Sequence, residues 1–137
     1  MTRRRLIPLL ALAGSLLLAA CGGSDSSSEA ATEASTTPAQ ARVEIGKVRS
    51  AIDDALASLK QGDRASAGEA IAEGYVEHFE KVEGPLDKVD PELKEKLEDS
   101  ISTDLRDKIK SGASRADVEQ LATSIRANLD AAERKLK

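Results

Sequence analysis

Residues 90–112 read DPELKEKLEDSISTDLRDKIKSG, and this stretch contains a whole helix with both of its ends. Asp90 is a favourable N-cap residue, Pro91 suits the first helical position, and Glu92 places a negative charge in the first turn. Gly112 predicts the end of the helix. The apolar residues between these ends recur at helical spacing and predict a single apolar face: Leu93, Leu97, Ile101, Leu105 and Ile109.

Two segments before this stretch show the same periodicity. The first begins at Ala39, ends at the Gly62-Asp63 turn, and carries an apolar stripe of Ile45, Val48, Ile52, Ala55, Leu56 and Leu59. The second is expected to stop near Gly84-Pro85, because proline and glycine interrupt helices. Its apolar side consists of Ala67, Ile71, Tyr75, Phe79, Val82 and Leu86.

One more helix follows Gly112. Ser114 and Asp117 resemble a capping box in which Asp replaces Glu. The apolar positions of this helix are Val118, Leu121, Ile125, Leu129, Ala132 and Leu136. No segment alternates as a strand does, so residues 39–137 are predicted to form an all-α domain, an antiparallel up-and-down four-helix bundle.

The N-terminus has the pattern of an export signal. Three arginines at positions 3–5 precede fifteen mostly apolar residues, 6–20, which end in small residues before the expected cut site. A membrane-spanning helix needs about 20 apolar residues, so a permanent span is disfavoured. The sequence Leu18-Ala19-Ala20-Cys21 resembles a lipobox, in which the cysteine is acylated and the chain is cut before it. We therefore expect residues 1–20 to be a lipoprotein signal peptide.

The cysteine count agrees with this interpretation. Cys21 is the one cysteine of the chain, so no disulfide can form within it, and acylation explains a lone thiol in an exported protein. Two or more acyl chains, such as a diacylglyceryl group and a palmitate, anchor a protein stably. The alternatives are an ordinary signal that happens to be followed by a cysteine, and export by the twin-arginine route.

Residues 21–38 are rich in Ser, Ala, Thr and Gly and have no apolar period. Such a segment cannot offset the entropy lost on ordering, so we expect a disordered tether that carries the lipid. The residue after the cysteine is Gly22 rather than Asp, so a retention signal of the Asp type is missing. The expected location is extracytoplasmic: the outer membrane in a two-membrane bacterium, or the cell surface in a one-membrane bacterium.

Charge and motifs exclude several classes of function. Residues 1–20 hold three arginines and no acid, so the mature part has 17 basic and 24 acidic side chains, a net charge of −7. An acidic domain of this kind is not expected to bind nucleic acid. With His78 as the single histidine and no GxSxG, GxGxxG or phosphate-loop sequence, we expect no enzymatic activity.

The candidate site lies between Tyr75 and Leu86, which include the only Tyr, His and Phe of the chain. Helical geometry places His78 on one shoulder of the apolar face and Glu83 on the other. Glu98 shares a stripe with the apolar residues of the following helix, so its carboxylate should approach the core. A carboxylate in that position must be paired, protonated or bound to a cation.

Helical bundles often bind metals through acids of facing helices. Carboxylates with at most one imidazole suit iron, manganese, calcium or magnesium better than zinc. Two other interpretations stay open: Lys94 lies one turn before Glu98 and could pair with it, and Glu98 could be exposed to solvent. The acids at 69, 73, 77 and 80 are interpreted as a solvated helix face.

A family resemblance adds to this interpretation. Tyr75, Phe79-Glu80, Glu83, Asp90-Pro91, Leu97-Glu98, Leu105-Arg106 and Gly112 form a pattern that resembles an exported helical region found ahead of the membrane domain in some bacterial high-affinity iron permeases. The similarity covers residues 67–136. It implies a detached periplasmic domain that binds iron or docks on a permease, with Glu80, Glu83 and Glu98 at the acidic positions of the family.

Two features depart from known iron-uptake proteins. The Arg-Glu-x-x-Glu motif of the permeases is absent, and the His-x-x-Glu motif of the imelysin-like lipoproteins is not matched because Lys81 follows His78 at that spacing. The leading prediction is a membrane-anchored lipoprotein that binds iron or another hard cation, or an iron permease, through Glu80, Glu83 and Glu98. The alternative is a ligand-free structural or protein-interaction lipoprotein of the cell envelope.

Overall fold

The structure is a computed structural model, and it describes residues 35–137. The predicted signal peptide, Cys21 and most of the predicted tether lie outside these residues. Within residues 35–137 every regular element is helical: α1 (Pro38–Lys60), α2 (Arg64–Gly74), π1 (Tyr75–Phe79), α3 (Glu80–Asp87), α4 (Pro91–Asp99), π2 (Ser100–Leu105), α5 (Arg106–Lys110) and α6 (Arg115–Lys135).

These elements make up four long helices. α2, π1 and α3 follow one another without interruption, and so do α4, π2 and α5. The four helices are separated at residues 61–63, 88–90 and 111–114. The prediction of an all-α domain with four helices is confirmed.

Side chains cap each of the four helices at its start. The Thr37 hydroxyl accepts a hydrogen bond from the backbone N–H of Gln40, and the side-chain oxygen of Gln40 accepts one from the Thr37 N–H, so α1 begins at Pro38, one residue before the predicted start. Asp90 and Ser114 accept hydrogen bonds from Leu93 N (3.1 Å) and Asp117 N (3.2 Å), as predicted. These caps satisfy backbone N–H groups that the first turn of a helix leaves unpaired.

The predicted stop near Gly84-Pro85 is wrong. α3 continues to Asp87 with Pro85 inside it. Proline removes one backbone hydrogen bond of the helix. Here Pro85 is buried and lies in the last turn, so its ring packs in the interior and few hydrogen bonds follow it.

The core is formed by one continuous set of apolar side chains from all four helices. In α1 and α6 the buried positions alternate at spacings of four and three, which is the period of a regular α-helix. They are Ala41, Ile45, Val48, Ile52 and Ala55 in α1, and Val118, Ala122, Ile125, Leu129 and Ala132 in α6. In the second and third helices, apolar positions follow one another repeatedly at a spacing of four residues. The two π-helical segments, π1 and π2, lie in these helices.

α1 and α2 approach each other closely at Gly74. A Cβ atom added to Gly74 would lie 2.5 Å from the Cβ of Ala51, closer than real side chains allow. Gly74 therefore permits a helix–helix contact that any larger residue would block. π1 begins at the next residue, so this contact positions the start of the candidate site.

Ion pairs join the first helix to the last. Arg49 of α1 pairs with Asp130 and with Glu133 (3.0 Å), and Arg126 of α6 pairs with Asp53. These pairs flank the apolar contact between α1 and α6. α1 contributes the arginine of one pair and the aspartate of the other, and α6 contributes the opposite charges. This arrangement favours one alignment of the two helices over others.

Arg64 connects the start of α2 to the end of α5. Its guanidinium donates hydrogen bonds to the carbonyl oxygens of Ile109 (3.2 Å) and Ala113 (2.9 Å). Ile109 lies in the last turn of α5 and Ala113 in the connection to α6, so the Arg64 cation adds a donor to both carbonyl groups and interacts favourably with the dipole at the end of this helix.

Candidate functional site

Tyr75 and Glu83 form the centre of the candidate site. The Tyr75 hydroxyl donates a hydrogen bond of 2.9 Å to Glu83 Oε1. The Tyr75 ring stacks on Phe79, with 5.8 Å between the ring centroids. Phe79 is completely buried, whereas Tyr75 and Glu83 are half-buried. The apolar face of π1 thus holds the tyrosine in place, and the tyrosine holds the carboxylate.

Glu98 and Lys94 of α4 lie beside this pair. Lys94 Nζ donates a hydrogen bond of 3.0 Å to Glu98 Oε2, and 36% of the Glu98 side chain is exposed. The structure therefore favours the open interpretation in which Lys94 neutralises Glu98. We call Tyr75, Glu83, Lys94 and Glu98 the Tyr75 cluster.

Two of the predicted metal ligands, Glu80 and Glu98, act on the third, Glu83. Burial raises the pKa of Glu83, and the negative charges of Glu98 and Glu80 raise it further. The hydrogen bond from Tyr75 and the charge of Lys94 act in the opposite direction and do not cancel the effect. Glu80 and Glu98 are thus close enough to Glu83 to raise its pKa, although Glu80 is exposed to solvent.

The pKa of the Tyr75 hydroxyl depends on the same neighbouring charges. Its pKa is raised, first by burial, then by its hydrogen bond to Glu83, and then by the negative charges of Glu83, Glu98 and Glu80. A protonated tyrosine donates a hydrogen bond, so Tyr75 stabilises the Glu83 carboxylate without carrying a charge itself.

Residues 35–137 contain no group of three or more His, Cys, Asp or Glu side chains that could hold a metal ion together. In the Tyr75 cluster the ammonium group of Lys94 is the cation beside Glu98, and the hydroxyl of Tyr75 is the donor to Glu83. The two carboxylates are therefore satisfied by side chains of the protein itself.

His78 has a partner that the sequence does not predict. Its Nδ1 atom lies 2.8 Å from Glu44 Oε2 on α1, and Glu44 also pairs with Lys47 at 3.0 Å. Burial raises the pKa of Glu44, but hydrogen bonds from Lys47 and His78 outweigh that effect and lower it overall. His78 thus connects π1 to α1.

Replacing Glu83 by glutamine is expected to raise the melting temperature at pH 7. The folded state holds the Glu83 pKa above its ordinary value, so ionisation of Glu83 costs stability as the pH rises through that range. Glutamine removes the charge and its amide oxygen still accepts the Tyr75 hydrogen bond. The advantage of Glu83→Gln should shrink as the pH falls from the raised pKa of folded Glu83 towards the ordinary glutamate value, and it should be absent below that value, where Glu83 is protonated in both states.

Thermal unfolding of both proteins between pH 3.5 and 8 measures this effect. Glu95→Gln, which removes the same charge from an exposed side chain of α4, is the matched control. A Glu83→Gln variant that melts below the wild type at pH 7 would contradict the expectation.

The chain matches no protein-family model, none of the curated proteins and none of the solved structures with which it was compared. The resemblance to the exported region of iron permeases therefore stays a prediction. Among the helices of residues 35–137, none combines the length and the apolar character needed to cross a membrane.

Proposed function

We propose that this protein is an extracytoplasmic bacterial lipoprotein, held at a membrane by acyl chains on Cys21, whose helical domain is a protein-interaction module of the cell envelope. The lipobox-like sequence Leu18-Ala19-Ala20-Cys21 at the end of an export signal supports the anchor. The absence of recognisable catalytic motifs in the sequence supports a binding role rather than an enzymatic one.

The proposal includes an antiparallel, up-and-down arrangement of the four helices. Two contacts support it. Arg64 at the start of α2 reaches Ile109 at the end of α5, and Asp90 just before α4 pairs with Lys135 at the end of α6 at 3.1 Å. Short connections of three or four residues between the helices favour the same arrangement.

The observation that carries the proposal is the internal pairing of the Tyr75 cluster. Glu83 receives a hydrogen bond from Tyr75, and Glu98 is paired with Lys94. A half-buried carboxylate without such a partner would have to be protonated or to bind a cation from outside. Because both carboxylates have partners within the protein, the cluster does not require a bound ion, which supports an interaction role for the domain.

The Cys21→Ser variant tests the anchor. Replacing Cys21 removes the thiol that carries the acyl chains, so the protein is expected to leave the membrane fraction and to appear in the soluble extracytoplasmic fraction. Fractionation followed by mass spectrometry of the N-terminal peptide measures both the location and the acyl mass. Ser24→Ala is the matched control in the same segment. Retention of Cys21→Ser in the membrane would contradict the lipid anchor.

A second candidate function is an iron-binding or iron-transport accessory module. It is favoured by the raised pKa of Glu83 and by the two further acids, Glu80 and Glu98, that raise it. A hard cation that displaces the Lys94 ammonium would neutralise these charges together. The resemblance to the exported region of iron permeases supports the same candidate, with a permease as the partner.

A metal titration separates the two candidates. The full-length chain in detergent is titrated with iron, manganese, calcium and zinc while its melting temperature and the heat of binding are followed. An interaction module is expected to give a flat response. A metal module is expected to show saturable stabilisation that Glu83→Ala with Glu98→Ala removes, while Glu92→Ala with Glu95→Ala on the exposed side of α4 leaves it intact.

A further inference from the structure

α2 and α5 border an open groove with a volume of about 520 Å³. The surface of this groove is mainly apolar. The residues that form it include Ala65, Gly68 and Ala72 of α2, and Arg106, Ile109 and Lys110 of α5. The α2 residues are small, so the backbone of α2 lies close to the floor of the groove.

The floor of the groove has no neighbour. A Cβ atom added to Gly68 would meet no atom within 4 Å, whereas one added to Gly74 on the same helix would meet Ala51. α2 therefore has one glycine, Gly74, in close contact with α1, and a second glycine, Gly68, that faces open space. A second helix could approach α2 at Gly68 as α1 does at Gly74.

The charges beside the groove point to the chemistry of its occupant. Arg106 and Lys110 are exposed, and neither forms an ion pair with a carboxylate of residues 35–137. In contrast, Arg49 and Arg126 at the α1–α6 contact are both paired with acids. Glu69 also lines the groove, so the α5 side is the more positive one.

We propose that this groove binds an acidic amphipathic helix of a partner protein. The inference rests on the proposed interaction function and names the partner's chemistry. The apolar face of such a helix would cover Ala65, Gly68 and Ala72, and its carboxylates would pair with Arg106 and Lys110, as acids pair with arginines between α1 and α6.

The position of the groove favours a protein over the membrane surface. The chain enters the domain at Ser35 and Thr36, which lie against α3. α1 then extends over 23 residues, or about 35 Å, before Arg64 begins α2 beside the groove. The groove therefore lies about one length of α1 from the residues that precede that helix, and its concave shape fits a rod better than a plane.

Photocrosslinking in intact cells tests the inference. A benzoylphenylalanine replaces Ala65 in the full-length chain, and crosslinked peptides are sequenced by mass spectrometry. The control places the same photoreactive residue at Ala57, an exposed position of α1. We expect a partner peptide with net negative charge and apolar residues at spacings of three and four, crosslinked from Ala65 and not from Ala57.

Charge reversal completes the test. Arg106→Glu with Lys110→Glu is expected to lower the crosslinking yield by about tenfold, because two favourable charge pairs become repulsive. Lys88→Glu with Lys96→Glu changes the net charge equally on exposed positions outside the groove and should leave the yield unchanged.

Other outcomes overturn the inference. A crosslink to a phospholipid would assign the groove to the membrane, and a crosslink to a peptide of this chain would assign it to a second copy. A protein that is crosslinked from Ala57 but not from Ala65 would contradict the groove as the binding site and would leave the proposed interaction function in place. If neither position gives a crosslinked protein and the chain binds a metal saturably, both the groove proposal and the proposed interaction function are wrong.

Discussion

Phe79→Ala is expected to lower the free energy of unfolding by about 3–5 kcal/mol, the largest effect of any single substitution that we consider. Phe79 is the only phenylalanine of the chain, its side chain is 0% exposed, and its ring contacts that of Tyr75. Truncation leaves a cavity in a core built mainly from Leu, Ile, Val and Ala. A domain of about 100 residues has a total stability of roughly 5–15 kcal/mol, so the loss is a large fraction of it.

Urea denaturation followed by circular dichroism measures this loss. Val76→Ala is the matched control, because Val76 belongs to the same π1 segment but is 53% exposed, and its truncation should change stability by less than about 0.5 kcal/mol. Equal effects of the two substitutions would show that Phe79 does not occupy the core position described here.

Gly74→Ala is expected to lower the free energy of unfolding by about 1–3 kcal/mol, although alanine is normally the better helix former. The new Cβ would lie 2.5 Å from that of Ala51, so α1 and α2 must move apart and release part of their shared packing. Gly68→Ala is the matched control on the same helix. Its Cβ meets nothing within 4 Å, and the variant should be more stable than the wild type by about 0.5–1 kcal/mol.

A double-mutant cycle identifies the cause of the Gly74→Ala effect. Ala51→Gly removes the atom that the new methyl group strikes, so it should restore much of the stability lost in Gly74→Ala, beyond what the two single variants predict by addition. Additive free energies would mean that the helices do not touch at this point.

The positions of the helices and most of the core follow from local sequence. Asp90 and Ser114 cap helices where their sequence context predicts, and the turn at Gly112 has the positive φ angle that favours glycine. These features depend on neighbouring residues, so one sequence is enough to predict them. In α6, Leu121 is only partly buried and Ala122 takes the core position, because the exact orientation of a helix depends on its neighbours.

The π-helical segments were not predicted, although the sequence contains a signal for them. Leu93, Leu97, Ile101, Leu105 and Ile109 are separated by four residues each time. In a regular α-helix, with about 100° per residue, each such step turns the apolar position by about 40°, and the face would drift away from the core. The wider turns of π2 compensate for this drift, as those of π1 do between Ile71 and Phe79.

The candidate site could be predicted only in part. Helical periodicity placed Glu83 beside the apolar face and Glu98 near the core, and both belong to the Tyr75 cluster. The pairing of His78 with Glu44, 34 residues away, depends on how two helices are rotated against each other, which the pattern of one helix does not contain. The choice between Lys94 and a metal ion as the partner of Glu98 likewise depends on three-dimensional geometry.

The ion pairs between α1 and α6 have a consequence for the order in which the protein folds. Arg49 and Asp130 are 81 residues apart in sequence, and Asp53 and Arg126 are 73 apart. Because a chain is synthesised from its N-terminus, nearly the whole domain must be synthesised before α1 can form these ion pairs. α1 and α2 can form a local hairpin first, while docking of α6 closes the longest loop and should limit the rate of folding.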